Sequence, residues 1–309
     1  MKIFDCFTFF NEEELLELRL NLLSPYVDYF VLVESNVTFR GESKPFYFNI
    51  DRKEFLPYKD KIIHLRYETK LQKTNPTDYS LEIQQRNYIF EGLKMIGKCE
   101  KNDLIIISDL DEIPNPIILK QIKENILLAK NNLFKLHRVF RKRSSKVKAY
   151  YKYCLLLKKK CMNASVLDIL NITPIALLQD HYYYYVNYLH SDKWCGSVIS
   201  LYKNMKTPQD LRNLRRRLPV VNLGGWHFAY MGGIDRILKK VNSTVDENSN
   251  RSVNKVYTEE YIKKCLDNGS LIYDYQNQDK NVFSKVPLDS IGIPNIDKFI
   301  LKYPKFYLK

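Results

Sequence analysis

A chain of 309 residues that is 45% hydrophobic is too apolar to be disordered and long enough for one large domain or two small ones. Its 49 basic and 35 acidic residues leave a net charge of +14, which favours anionic partners: phosphates, nucleic acid or a membrane surface. No apolar run reaches the length that spans a bilayer, and six scattered cysteines without a CxxC pair suit neither a zinc site nor a dense disulfide framework.

The first residues, MKIFDCFTFF, lack the charged start and cleavage site of a signal peptide, and IFDCF reads as a first strand. Asn11, with Glu14 three residues on, has the spacing of a capping box for a helix carrying Leu15, Leu16, Leu18, Leu20, Leu22 and Leu23. YFVLVE (29–34) and KIIHLRY (61–67) read as the second and third buried strands. SLEIQQRNYIFEGLKMI (80–96) is predicted to be a helix with Ile83, Ile89, Phe90, Leu93 and Ile96 near one side, and DLIIIS (103–108) supplies the fourth strand. Strands alternating with helices imply a mostly parallel sheet covered on both faces.

Beyond residue 130 the pattern is weaker. LFKLHRVF (133–140) reads as a strand, and residues 141–170 are basic and mixed, with RKRSSKVK and KKK holding much of the excess charge. DHYYYYVNYLHSDKW (180–194) is dense in tyrosine, and NLGGWHFAYMGG (222–233) reads as a Gly-flanked aromatic loop. YTEEYIKKCLDNG (257–269) is a helix with Thr258 as cap and Gly269 as stop.

The stretch DLIIISDLDEIPNP (103–116) carries the strongest chemical signal. Asp109, Asp111 and Glu112 follow a buried strand at once, on the sheet edge where open parallel sheets bind ligands. Two carboxylates one residue apart on a turning backbone can converge on a hard cation, which would in turn hold phosphate oxygens. The alternative is that Asp111 or Glu112 merely caps a helix beginning near Pro116.

FDCFTFFNEEELLELRL at the start, VDYFVLVESNVTFRGESKP (27–45), EIQQRN (82–87), LIIISDLDEIP (104–114) and GGWHFAYMGG (224–233) together resemble glycosyltransferase family 17. This is the family of the β-1,4-mannosyl-glycoprotein β-1,4-N-acetylglucosaminyltransferase. The resemblance implies a GT-A-like α/β fold: a Rossmann-type, mostly parallel sheet with helices on both faces and a C-terminal acceptor-side region. Residues 1–130 would form the nucleotide-sugar half and 131–309 the acceptor-side half of one domain. It further implies an inverting transfer from UDP-GlcNAc, with a divalent cation, manganese or magnesium.

Under this resemblance Asp111 is expected to bind the metal directly, and Asp109 through water or by reaching the donor ribose, with Glu112 orienting its neighbours. Glu34 is either a uridine or ribose contact or an ordinary strand-end carboxylate. Arg86, beside Asn87 in the EIQQRN block, either meets the diphosphate or pairs with an acid such as Asp109. His227 is the candidate third metal ligand, and Lys240, with Lys239 competing, the diphosphate cation. Trp194, Trp226, Tyr184 and Tyr185 stack on sugar faces or pack in the core. Asp235 is the first candidate for the base and Asp192 the second; either is otherwise a helix cap.

The chain departs from the family where a His-containing stretch would follow the Lys block and it reads NSTVDENSN (242–250) instead. It also shows no Golgi-type anchor. The expectation is therefore a cytoplasmic protein acting on a surface polysaccharide, glycolipid or glycoprotein, with the basic 141–160 segment against anionic lipid. The competing readings are a nucleotide-sugar- or glycan-binding protein without turnover, and a nucleic-acid-binding protein. The last explains neither the acidic strand end nor the ordered blocks, so no nucleic acid is expected.

Overall fold

The computed structural model describes residues 1–70, 78–95, 97, 99–125, 134–135, 165–245, 257–272 and 283–309. The basic run at 141–160, and all but 134–135 of the strand expected over 133–140, lie outside the described residues. The strands are Ile3–Phe9 (β1), Tyr29–Ser35 (β2), Ile62–Tyr67 (β3), Leu104–Asp109 (β4), Glu112–Pro114 (β5), Phe134–Lys135 (β6), Ile175–Tyr183 (β7), Tyr188–His190 (β8), Trp194–Leu201 (β9), Val220–Val221 (β10), Gly225–Ala229 (β11) and Phe283–Lys285 (β12). The α-helices are Glu13–Leu23 (α1), Ser80–Asn87 (α2), Ile89–Met95 (α3), Pro116–Lys123 (α4), Val166–Leu170 (α5), Pro208–Asn213 (α6), Ile234–Ser243 (α7), Glu259–Asn268 (α8) and Ile296–Lys302 (α9).

Four parallel strands run in the order β3-β2-β1-β4. The order reverses between β1 and β4, because α1 returns the chain to β2 on one side while α2 and α3 carry it from β3 to β4. A reversal of this kind opens a crevice outside the carboxyl ends of the two central strands. The sheet continues with β9 antiparallel to β4 and β7 antiparallel to β9, and β10 and β11 then pair with β7 in parallel. The result is the mixed α/β architecture with a large sheet, parallel throughout its N-terminal half and mixed beyond it.

Strand alternation divides the core between two faces. Ile3, Phe7, Phe30, Leu32, Leu104 and Ile106 pack with the leucines of α1, with α4 and with α5. Phe4, Cys6, Val31, Val33, Ile105 and Ile107 pack on the opposite face with Ile89 and Leu93 of α3 and Leu211 of α6. A third cluster joins Tyr183 and Tyr184 to α7 and α8. Among the described residues no helix is long and apolar enough to cross a membrane.

Three local expectations are corrected, and one alternative is ruled out. Residue Glu12, not Asn11, occupies the N-cap of α1, and no side chain caps that helix. Its acids are drawn instead to cations of α7: Glu12 to Lys240 and Glu14 to Arg236. The helix expected over 80–96 is broken at Tyr88, and Ile83 is exposed. The aromatic loop at 222–233 contains a fully buried strand, β11, whose alternation the glycines and the continuous apolar run obscured. Finally, α4 is capped by Asn115, whose side chain accepts from Ile117 N at 3.0 Å, with Pro116 at the first helical position. Neither Asp111 nor Glu112 serves as that cap. At the other end of the chain, Thr258 does accept from Tyr261 N to cap α8, and Gly269 ends it in the left-handed conformation.

Candidate active site

The carboxylate turn joins β4 to β5, and β5 is held from the far side by β11. In the β5–β11 register Glu112 lies opposite His227 and Pro114 opposite Gly225. A Cβ at Gly225 would stand 2.1 Å from the Ile113 carbonyl oxygen, and its φ is +127°, so only glycine allows this approach. Gly196 on β9 plays the same part beneath Glu112, whose Oε1 would lie 2.6 Å from an added Cβ.

Glu112 is fully buried and makes contacts only with neighbouring protein groups. It accepts from Arg212 Nη1 and Nη2, both at 2.6 Å, from Trp194 Nε1 at 2.6 Å and from the Asp109 amide at 3.0 Å. Asp109 Oδ1 accepts from Arg86 Nη2 at 2.8 Å and Oδ2 from Arg212 Nη2 at 2.7 Å. Burial pushes the Asp109 carboxyl up, but the Arg212 and Arg86 guanidiniums outweigh it and hold the group well below the usual carboxylate range. Glu112 is lowered in the same way, by Arg212 against burial.

Asp111 points the other way, into a cavity of about 530 Å³ at the carboxyl ends of β1 and β4. That volume suits a small-molecule ligand. Its Oδ2 accepts from Lys240 Nζ at 2.7 Å, and its Oδ1 lies 3.7 Å from His227 Nε2. Lys240 also reaches Glu12 Oε1 at 3.0 Å, and the two carboxylates overcome burial to raise its pKa. His227 stacks between Trp194 and His181, with ring centroids at 4.7 and 4.6 Å. Burial lowers the His227 pKa despite Asp111, which leaves a neutral imidazole able to donate a lone pair.

These facts bear on a divalent cation. Asp111 Oδ1 and His227 Nε2 form a mixed oxygen and nitrogen pair at the cavity wall, and they fit a cation whose remaining positions are filled by phosphate oxygens and water. No group of three or more His, Cys, Asp or Glu side chains among the described residues is placed to hold a metal alone. Asp109 has both oxygens committed to guanidiniums and, as placed, offers none to a metal.

The other sequence candidates are dispersed. Glu34 accepts from the Tyr47 and Phe48 amides and pins the 44–48 loop. Asn87 accepts from Gln209 N at the start of α6. Trp194 lines the cavity, whereas Trp226 is buried and donates to the Ile291 carbonyl. Tyr184 is buried and donates to the Ser270 carbonyl, and Tyr185 borders a separate cavity with Asp235. Asp235 is an exposed first-turn residue of α7, and Asp192 is an exposed turn residue whose amide donates to His190 Nδ1. Neither lines the cavity that holds Asp111.

Sequence reasoning missed Arg212, Arg215, Arg216, Glu12 and His181. The run RNLRRR (212–217) was the available signal for the arginines. Arg215 and Arg216 line the cavity, and among the described residues no carboxylate lies within ion-pairing distance of either. Burial and the nearby Arg212 lower the Arg215 pKa, and its Nε is buried without a hydrogen-bond partner.

Residues 1–132, which include the whole carboxylate turn, match the family model for glycosyltransferase family 17. Over that stretch the chain is similar to glycosyltransferase family 17. The matched segment contributes Glu12, Arg86, Asp109 and Asp111 to the site, while Arg212, His227 and Lys240 come from beyond it. No curated protein matches the chain in sequence. Among solved structures, the chain is similar to glucosyl-3-phosphoglycerate synthase from Mycobacterium tuberculosis in complex with Mn2+, UDP-glucose and glycerol 3-phosphate, at 14% identity over 57% of this chain and 60% of that one, with a TM-score of 0.24. It is also similar to S. aureus TarS 1–349, at 11% identity over 98% and 81% of the two chains, with a TM-score of 0.34. Identities and scores this low leave substrate and mechanism to be argued from the site itself.

Proposed function

We propose that this protein is a metal-dependent inverting glycosyltransferase that moves a sugar, GlcNAc from UDP-GlcNAc first among the candidates, onto a hydroxyl of a glycan acceptor. The observation that carries this reading is Asp111, inside the segment that matches the family model, set beside His227 and Lys240 on the wall of a ligand-sized cavity at the sheet's switch point. A divalent cation would rest on Asp111 and His227, and when bound it would stabilise charge on the departing diphosphate. Lys240, Arg215 and Arg216 supply further positive charge from the protein itself. Trp194, at the cavity wall, offers a face for a sugar ring.

The base is sought among the carboxylates that line the cavity, which Asp235 and Asp192 do not. In this proposal Glu82 takes the role. It lines the cavity, and one oxygen pairs with Arg86 while the other has no hydrogen bond among the described residues. Replacing it, Glu82→Gln, is expected to lower turnover by roughly 10²-fold or more while nucleotide-sugar binding persists. A variant that turns over normally in a sugar-release assay would remove Glu82 from the mechanism.

The whole reading is tested by thermal denaturation with a panel of nucleotide-sugars in manganese, magnesium or EDTA, on the wild type and Asp111→Asn. A ligand at a hundredfold excess over Kd adds about 2.7 kcal/mol of stability. The expected outcome is a UDP-sugar that stabilises only with metal, and loss of that effect in Asp111→Asn. If no nucleotide-sugar raises the melting temperature with any metal, the transferase reading is wrong. One observation favours binding without turnover as the second reading: Asp109 and Asp111 already have cationic side chains as partners. Stabilisation by a UDP-sugar without any release of UDP in the presence of acceptors would select it.

A further inference from the structure

Arg19 falls in the first of the resembling blocks but does not line the cavity and was given no role there, yet its side chain is completely buried and touches the carboxylate turn at several points. It projects from the middle of α1. Its Nε and Nη2 meet Asp5 Oδ2 and Oδ1 at 2.8 and 2.5 Å, and Nη2 also donates to Ser108 Oγ at 2.6 Å. Nη1 lies 3.0, 3.0 and 3.1 Å from the carbonyl oxygens of Asp109, Leu110 and Glu112. The guanidinium also sits 4.5 Å from the Phe7 ring centroid.

The arrangement follows from the register. Asp5 on β1 pairs with Ile106 on β4, so the Asp5 and Ser108 side chains emerge on the same face, beneath α1. Three carbonyls converging on one nitrogen require the chain to turn sharply between β4 and β5. A buried turn whose carbonyls lacked a donor would be costly. Lysine could neutralise Asp5, but a single ammonium cannot fork to Asp5, Ser108 and three carbonyls at once.

We propose that Arg19 is a positioning residue for the metal and nucleotide site: by fixing the backbone of residues 109–112 from beneath, it aims the Asp111 side chain into the cavity while Asp109 and Glu112 are turned toward Arg212. Asp5 is the counter-ion that allows a cation in this place. The inference rests on the nucleotide-sugar reading above for its ligand, but its structural half stands alone, since the order of the 109–112 turn is measurable without any ligand.

The test is Arg19→Lys, with Phe306→Leu, packed on Phe299 of α9, as a destabilised control. Amide hydrogen exchange over 109–112 and manganese-dependent UDP-sugar affinity by calorimetry are both read well below the melting temperature. Arg19→Lys is expected to speed exchange in the turn and weaken metal-dependent binding at least tenfold, whereas Phe306→Leu lowers the melting temperature and changes neither. Ser108→Ala loosens Arg19 without unpairing it from Asp5 and covers the case in which Arg19→Lys does not fold; faster exchange at 109–112 and about threefold weaker binding are expected. Unchanged exchange and unchanged affinity in a folded variant overturn the proposal. Faster exchange with unchanged affinity overturns the link to binding. A wild type that binds no UDP-sugar overturns the nucleotide-sugar reading instead, and leaves the exchange result to decide whether Arg19 holds the turn.

Discussion

At the scale of single residues, the charge balance of the turn depends on Arg212. Its two terminal nitrogens serve Glu112, Asp109 and the Gly196 carbonyl, all at 2.6 to 2.7 Å. Removing one partner of a buried pair leaves the other charge uncompensated, so Arg212→Ala is expected to lower unfolding free energy by about 3–5 kcal/mol, measured by urea titration. Arg212→Lys should recover only part of this, because the fork to Glu112 is lost. A loss under 1 kcal/mol for Arg212→Ala would mean that water or another cation replaces the guanidinium. Nothing local in the sequence marks Arg212 among the basic residues of RNLRRR. Its partners lie about a hundred positions earlier in the chain, and that pairing exists only in the folded protein. Asp109 and Asp111 were legible as a cluster because they follow a continuous apolar strand, but their opposite orientations were not. Two residues that far apart in charge environment differ only by which way a short turn faces.

At the scale of elements, β5 and β11 together hold the turn and His227 in register. Gly225→Ala would force a Cβ into the Ile113 carbonyl at a φ that alanine avoids. The expected cost exceeds about 1 kcal/mol, read as a lower melting temperature. Trp194 fluorescence should report the disturbance, since its indole donates to Glu112. A variant with wild-type melting and fluorescence would show that β5 yields without consequence. The N-terminal elements were readable because each is short, apolar and bounded by turn residues. Strands β7 to β11 were harder: their tyrosines, histidines and glycines follow packing between distant strands, and β7 pairs with four other strands.

At the scale of the whole molecule, burial of histidine makes stability depend on pH. The His181 pKa is pushed down to about 2, first by burial and then by His227 and His190. The unfolded chain takes up a proton near pH 6.5 where the folded chain does not, so this contribution is present above that pH and is lost as pH falls below it. The expected loss is about 1.4 kcal/mol per pH unit below 6.5 in metal-free buffer. His181→Gln should flatten the dependence of melting temperature on pH between 6.5 and 5. An unaltered slope would place the acid sensitivity elsewhere.

The ion pairs between the two halves of the chain carry a consequence in time. Glu112 leaves the ribosome 100 residues before Arg212, and Asp111 leaves 129 before Lys240. At ordinary synthesis rates that is a wait of roughly 5–20 s or more. During it, among the described residues, the cations that contact the acidic turn are Arg19 and Arg86, both made earlier. A nascent chain ending at residue 132 therefore displays the acidic turn before it owns the cations that balance it, and the site is assembled only once Arg212 and Lys240 have been made.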